Sequence, residues 1–305
     1  MMQRALIFPG QASQFVGMAQ DIYTEHESIR TLYGTANDIL GFDVADISFN
    51  GPLEALTETK VTQPALFVAS AAFFSLLPAS FEFQMTAGHS LGEFSALYAA
   101  GVLSFEDALS IVKVRAEEMQ LAGKAQSGTM AAILNLSRED VEKVCLHASK
   151  RGIVQAANYN SPGQIVISGE TNAVNYAMEI AKNLGARKVV GLNVSGAFHS
   201  PLMAPAVVGL TSAIEKSNFS QANVPVIANV DAAPTSDPGK IKTNLIQQLE
   251  NPVLWEDSVH TMLKNGATEF VEVGPGRVLQ GLIRRIERSA NVSGIGNQAQ
   301  LEGLS

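Results

Sequence analysis

Short apolar runs alternate with longer amphipathic segments along most of the chain, a pattern typical of α/β proteins. Apolar runs at residues 5–8, 81–87 and 268–273 predict buried strands of a short parallel sheet. Residues 18–60 are mostly polar and predict helices. The most apolar run, residues 65–77, predicts a buried helix opened by Gln63 and Pro64, and it is too short to cross a bilayer.

The pattern changes after a small polar stretch at residues 123–128. Beyond it the periodicity predicts strand, helix, strand, strand, helix and strand, which is the order of a ferredoxin-like unit. We therefore predict two parts: a catalytic α/β subdomain made of residues 1–124 and 196–305, and an inserted ferredoxin-like subdomain at residues 125–195. Within the insert, Asn158 and Asn160 are interpreted as turn formers.

The pentapeptide Gly88-His-Ser-Leu-Gly92 lies between the strand predicted at 81–87 and a helix predicted at 93–100. Glycine on both sides of Ser90 permits a sharp strand-to-helix turn that exposes the serine hydroxyl beside the first free N–H groups of the helix. This context favours a nucleophile elbow over a plain glycine-rich turn.

Arg115 falls on the apolar face of the helix predicted at residues 108–120. A buried guanidinium is costly unless it is paired. The residues alone leave three partners open: an internal carboxylate such as Glu93, solvent reached by the long side chain, or a substrate anion.

His199 is the best candidate base by elimination among the five histidines, because it ends a strand just before a helix capped by Ser200 and Pro201. A serine hydroxyl needs such a base to take its proton. The loop after the first strand, around Gln11, could add N–H groups to those of Leu91 in an oxyanion site, although the residues alone favour an ordinary loop.

Composition narrows the classes of function. The formal charge of −8 and the lack of a basic cluster argue against a nucleic-acid surface. The one cysteine, Cys145, cannot form an internal disulfide, which predicts a reducing, cytoplasmic setting. No metal-ligand or nucleotide-binding motif is present, so we expect neither a metal nor a bound cofactor. Residues 289–305 are predicted to be weakly ordered.

Eight sequence blocks, which span nearly the whole chain, together resemble the malonyl-CoA:acyl carrier protein transacylases. These blocks are residues 8–14, 62–66, 88–93, Arg115, 160–164, 196–199, 251–255 and 273–276. The resemblance implies a hydrolase-like α/β core with a ferredoxin-like insert, malonyl-CoA as substrate, acyl carrier protein as partner, and a monomer.

The resemblance also implies roles for individual residues. Ser90 carries the malonyl group as an ester, and His199 moves the proton. The N–H groups of Gln11 and Leu91 hold the oxyanion, and Arg115 pairs with the malonyl carboxylate.

Four further residues are carried over in the same way. The backbone carbonyl of Gln248 orients the histidine, Gln63 lines the pocket, and Phe198 limits branched substrates. Asn160 is a candidate substrate-binding residue besides its interpretation as a turn former.

The chain departs from the family pattern at two positions. Ala12 replaces a glycine, which we expect to be tolerated if its φ is negative, and Leu254 replaces an arginine before the tryptophan. Two alternatives stay open: the same chemistry serving a polyketide synthase, and a serine thioesterase or hydrolase.

Overall fold

The computed structural model describes residues 3–304 and contains two β-sheets surrounded by helices. The larger sheet has six strands in the order β10-β9-β1-β2-β7-β8. It is parallel except for the last pair, β7 with β8. The strands of this sheet are β1 Arg4–Phe8, β2 Met85–Gly88, β7 Val226–Ile227, β8 Pro234–Thr235, β9 Glu269–Val273 and β10 Asn291–Ile295. The predicted α/β class with a short parallel sheet is confirmed.

The smaller sheet has four antiparallel strands in the order β4-β5-β3-β6. Its strands are β3 Gly128–Leu134, β4 Val154–Ser161, β5 Gln164–Glu170 and β6 Lys188–Gly191. Two helices between these strands, α8 Arg138–Ala148 and α9 Thr171–Asn183, pack together on the sheet. All of these elements lie inside residues 125–195, and the bounds of the inserted subdomain stay a prediction.

The remaining helices surround the larger sheet. They are α1 Gln20–Glu25, α2 Glu27–Leu40, α3 Val44–Asn50, α4 Leu53–Thr57, α5 Thr59–Ser75, α6 Gly92–Ala99, α7 Phe105–Ala125, α10 Ala204–Lys216, α11 Pro238–Gln248, α12 Trp255–Lys264, α13 Val278–Ile286 and α14 Gln298–Glu302, with short 3₁₀ turns at Ser149–Arg151 and Pro201–Met203. Within residues 3–304, no helix combines the length and the apolar character that a bilayer crossing requires.

Three local predictions were wrong. Pro64 lies inside α5 rather than in its first turn, because the helix begins five residues earlier at Thr59. Asn158 and Asn160 lie in β4 rather than in a turn, and the strand shifts register beside each of them. Residues 291–295 form the edge strand β10, because its main chain pairs with the buried strand β9 despite a polar sequence.

The packing around β1 and β2 places two loops side by side. Phe8 pairs with Gly88 at the ends of the two strands, and the His89 N–H donates to the Phe8 carbonyl at 3.1 Å. A Cβ atom at Gly92 would overlap the backbone oxygen of Phe8. The absence of a side chain at Gly92 therefore lets the start of α6 reach the end of β1, where α/β proteins bind ligands.

We expect Gly92→Ala to lower the melting temperature strongly, because the added methyl group must displace the backbone of β1. Gly34→Ala is the matched control: Gly34 is exposed inside α2, and no atom lies within 4 Å of an added Cβ. The control should gain roughly 0.5–1 kcal/mol in the free energy of unfolding. Equal melting temperatures for the two variants would contradict this account of the close approach.

Candidate active site

Ser90 lies at a strained turn between β2 and α6. Its φ is 53°, in the left-handed region that non-glycine residues rarely occupy. A strained residue of this kind persists only where the surroundings hold it, and such residues cluster at functional sites. The turn has the strand-turn-helix context of a nucleophile elbow, as the pentapeptide predicts.

Ser90, His199 and Gln248 form a hydrogen-bonded chain. The Ser90 Oγ lies 2.8 Å from Nε2 of His199, and Nδ1 of His199 lies 2.8 Å from the backbone oxygen of Gln248. Because a carbonyl oxygen only accepts, Nδ1 carries the ring proton and Nε2 faces the serine as an acceptor. The ring is therefore oriented to take a proton from Ser90.

His199 is neutral in this environment. Burial, and second the positive charge of Arg115, lower its pKa from an ordinary 6.5 to about 3. The residue is only 3% exposed. A neutral imidazole is the form that a general base requires at neutral pH.

Arg115 projects from α7 to the same place and is 1% exposed. Its guanidinium donates to Oε1 of Gln63 at 2.6 Å, to Oε1 of Gln248 at 2.9 Å and to Oγ of Ser90 at 3.1 Å. Within residues 3–304 no carboxylate oxygen lies within 4.0 Å of it, and its Nε has no hydrogen-bond partner. Burial lowers its pKa to about 10, so the group is a cation at neutral pH.

Glu93 is the nearest candidate for an internal partner, but it does not pair with Arg115 directly. Its Oε2 accepts from Nε2 of Gln248 at 2.8 Å, so the neutral amide of Gln248 lies between the carboxylate and the guanidinium. Burial raises the pKa of Glu93 to about 7. Of the three partners left open by the sequence, the geometry favours an anion from outside the chain.

The cleft above Ser90 is lined by residues that lie near both β-sheets. Its walls include Gln11, Met119, Met130, Leu192, Phe198 and His199. Gln63, Arg115 and Gln248 are buried beneath the serine. Among the described residues, the backbone N–H groups of Gln11 and Leu91 have no protein acceptor, as an oxyanion site requires.

One position near the cleft differs from the sequence-based expectation, and a second has a contact that the sequence did not indicate. Ala12 has a φ of 81° rather than a negative value, so it occupies a conformation that favours glycine. Asn160 lies behind the cleft wall, where its Oδ1 is 2.8 Å from Nε2 of His89. A role of Asn160 in binding substrate stays a prediction.

Sequence reasoning missed Asn229. Its side chain accepts from the N–H of Ser90 and donates to the carbonyl of Gly88, both at 2.7 Å. The residue follows the two-residue strand β7, which carries no motif. The only signal in the sequence was its place at the carboxyl end of a strand in a parallel sheet.

A serine at a strained elbow, a neutral histidine and free N–H groups define an enzyme that forms an acyl ester on a serine. A profile of the family described as acyl transferase domain matches residues 5–300. The chain therefore belongs to the acyl transferase domain family, and it is an acyltransferase.

The relatives narrow the family further. The chain is 41% identical over 300 residues to the malonyl CoA-acyl carrier protein transacylase of Bacillus subtilis, covering 98% of this chain and 95% of the relative. It is 40% identical over 304 residues to the enzyme of that name from Staphylococcus aureus, covering 99% and 98%. The resemblance inferred from the sequence is confirmed.

Solved structures agree with these relatives. An acyl carrier protein S-malonyltransferase from Vibrio cholerae superimposes with a TM-score of 0.94 at 38% identity, covering 99% of this chain and 100% of that one. A malonyl transacylase in complex with a type II polyketide synthase acyl carrier protein superimposes with a TM-score of 0.95 at 37% identity, covering 99% and 98%.

The lowered pKa of His199 predicts a specific pH dependence of stability. Between pH 6.5 and about 3 the unfolded chain binds a proton at this residue that the folded protein does not bind, so folding weakens as the pH falls. We expect the melting temperature of the unmodified protein to fall more steeply from pH 6.5 to 4.5 than that of His199→Gln. Glu93 and His89 are present in both proteins, so parallel curves would contradict the burial of a neutral His199.

Proposed function

We propose that the protein transfers the malonyl group from malonyl-CoA to the phosphopantetheine thiol of acyl carrier protein, through an ester on Ser90, in fatty-acid synthesis. The observation that carries this proposal is the buried Arg115, a cation whose hydrogen-bond acceptors in the described part of the chain are all neutral oxygens, the serine hydroxyl among them. A planar guanidinium matches a carboxylate in two parallel hydrogen bonds. A substrate with a free carboxylate would supply the missing charge.

In the first half-reaction Ser90 Oγ attacks the thioester carbonyl while its proton passes to Nε2 of His199. The N–H groups of Gln11 and Leu91 stabilise the oxygen that becomes negative. The tetrahedral intermediate then collapses to the malonyl ester, and the CoA sulfur leaves with the proton from His199. Gln248 holds the imidazole in the required tautomer through its carbonyl.

In the second half-reaction the thiol of the carrier protein gives its proton to His199 and attacks the ester carbonyl. The new thioester forms, and Ser90 leaves with the proton. The two half-reactions use the same groups in opposite directions, which makes the cycle a ping-pong exchange.

The substrate also helps to activate the base. The charge of Arg115 is one of the causes that lower the pKa of His199. A malonyl carboxylate on Arg115 cancels much of that charge, so the pKa of His199 rises when the correct substrate is bound. An uncharged acyl group gives no such increase, and it leaves the buried cation without a partner.

Two other functions stay open, and only the first of them is weaker on a specific ground. A simple serine hydrolase has no need for a buried cation beside the nucleophile. Service to a polyketide synthase uses the same chemistry, and the rate with each carrier protein distinguishes the two pathways. The monomeric state and the cytoplasmic location stay predictions.

We expect Ser90→Ala to abolish the mass increase that malonyl-CoA causes on the intact protein, because the ester oxygen is missing. Ser95→Ala, which removes a buried serine hydroxyl from the adjacent helix α6, is the matched control and should keep the adduct. Intact-protein mass spectrometry after mixing with malonyl-CoA makes the measurement. An undiminished adduct on Ser90→Ala would assign the nucleophile to another residue.

We expect Arg115→Ala to slow loading from malonyl-CoA on the order of 10²-fold or more, since the carboxylate loses a buried charged partner. Loading from acetyl-CoA should stay unchanged or rise. Arg115→Lys keeps the charge but lacks the planar guanidinium, so its rate of loading from malonyl-CoA should lie between those of the unmodified protein and Arg115→Ala. Equal losses for both acyl groups would refute the role of Arg115 in selecting a carboxylate.

A further inference from the structure

We propose that Asn229 is a positioning residue, which holds the strained Ser90 elbow in its reactive conformation and ties it to the base. The inference rests on the proposed function, since it concerns how Ser90 is held for acyl transfer. It adds to the site a residue that touches neither the reacting atoms nor His199.

The side chain of Asn229 spans the elbow from one side to the other. Its Oδ1 accepts from the N–H of Ser90 at 2.7 Å, and its Nδ2 donates to the carbonyl of Gly88 at 2.7 Å. These two groups lie on either side of His89, in the backbone that leads into Ser90, whose φ is 53°. A left-handed conformation is unfavourable for a non-glycine residue, and two hydrogen bonds of ordinary net strength can offset that cost.

Asn229 is itself fixed on its main-chain side. Its N–H donates to Oε2 of Glu93 at 3.1 Å, and its carbonyl accepts from the N–H of Leu254 at 2.9 Å. The residue is 1% exposed. Its N–H, carbonyl, Oδ1 and Nδ2 are thus all hydrogen-bonded, so the side chain has little freedom to move away from the elbow.

We call the two hydrogen bonds from Asn229 to Ser90 and Gly88 the clamp. Glu93 connects this clamp to the catalytic base. Its Oε2 accepts from Asn229 and also from Nε2 of Gln248 at 2.8 Å. The same Nε2 donates to the carbonyl of Ser90 at 3.1 Å, while the backbone oxygen of Gln248 holds His199. One buried carboxylate therefore fixes the nucleophile and the residue that orients the base.

The clamp also decides which N–H groups remain available. Because Asn229 occupies the N–H of Ser90, the N–H of Leu91 is the first at this helix end that can face the oxyanion. A Ser90 that relaxed out of the left-handed region would move both its hydroxyl and the Leu91 N–H. Loss of the clamp should therefore slow acylation while leaving binding of malonyl-CoA nearly unchanged.

The decisive experiment measures acylation of Ser90 by rapid-quench intact mass at several malonyl-CoA concentrations. We expect Asn229→Ala to lower the rate at saturation on the order of 10²-fold, as misplacement by about 1 Å can do, with the half-saturating concentration changed by less than about 3-fold. Asn244→Ala is the matched control, because Asn244 is equally buried on α11 and does not touch the elbow. The control should lower the melting temperature and keep the acylation rate.

A second variant separates positioning from general destabilisation. In Asn229→Asp the new carboxyl group can still accept from Ser90, but when ionised it cannot donate to the carbonyl of Gly88. Lowering the pH protonates the group and restores the donor. The acylation deficit relative to the unmodified protein should therefore shrink as the pH falls, which a purely structural defect would not do.

The outcomes are distinct. Rates for Asn229→Ala that match those of Asn244→Ala, or a pH-independent deficit for Asn229→Asp, overturn the positioning role. A parallel reaction with a fluorophosphonate, which labels activated serines in general, separates this failure from that of the proposed function. An unmodified protein that reacts with the fluorophosphonate and not with malonyl-CoA refutes malonyl transfer, and the fluorophosphonate rates of the same variants then decide the role of Asn229.

Discussion

A buried cation that has no carboxylate partner among residues 3–304 is the constraint on which the rest of the site depends. Taking a guanidinium out of water is costly, and neutral amide oxygens recover only part of that cost. The chain nevertheless places Glu93 close by and separates it from Arg115 with the amide of Gln248. This arrangement keeps the positive charge available for a ligand, at the expense of a stronger internal pair.

The same charge sets the state of the base. It contributes to the low pKa of His199, so the histidine is a neutral acceptor, and in the proposed reaction an anionic substrate on Arg115 would raise that pKa. Binding and chemistry are thereby coupled through one group. The coupling needs His199 and Arg115 each within hydrogen-bonding distance of Ser90, and a histidine oriented by Gln248, so residues from four separate segments of the chain provide it.

Much of this could be predicted from the sequence, because local rules govern the parts concerned. The elbow needs glycine before and after Ser90, and an arginine on an apolar face needs a partner. Their meeting in one site could be predicted only through resemblance to a family. No periodicity relates Arg115 to Ser90.

Other features could not be predicted from the sequence, for physical reasons. The side chain of Asn229 contacts backbone groups of Gly88 and Ser90. Every residue type carries such groups, so no sequence pattern predicts these contacts. The edge strand at 291–295 is fixed by pairing with a distant strand, which overrides its polar composition. The positive φ of Ala12 depends on a turn that an alanine in the sequence does not predict.

The most direct test of the account is a crystal structure of the protein trapped with malonyl-CoA, in which the acyl group is bound to Ser90. The account predicts that the free carboxylate lies against the guanidinium of Arg115, within about 3 Å of its nitrogens. A carboxylate that points into the open cleft, with Arg115 still bonded only to Gln63 and Gln248, would contradict it.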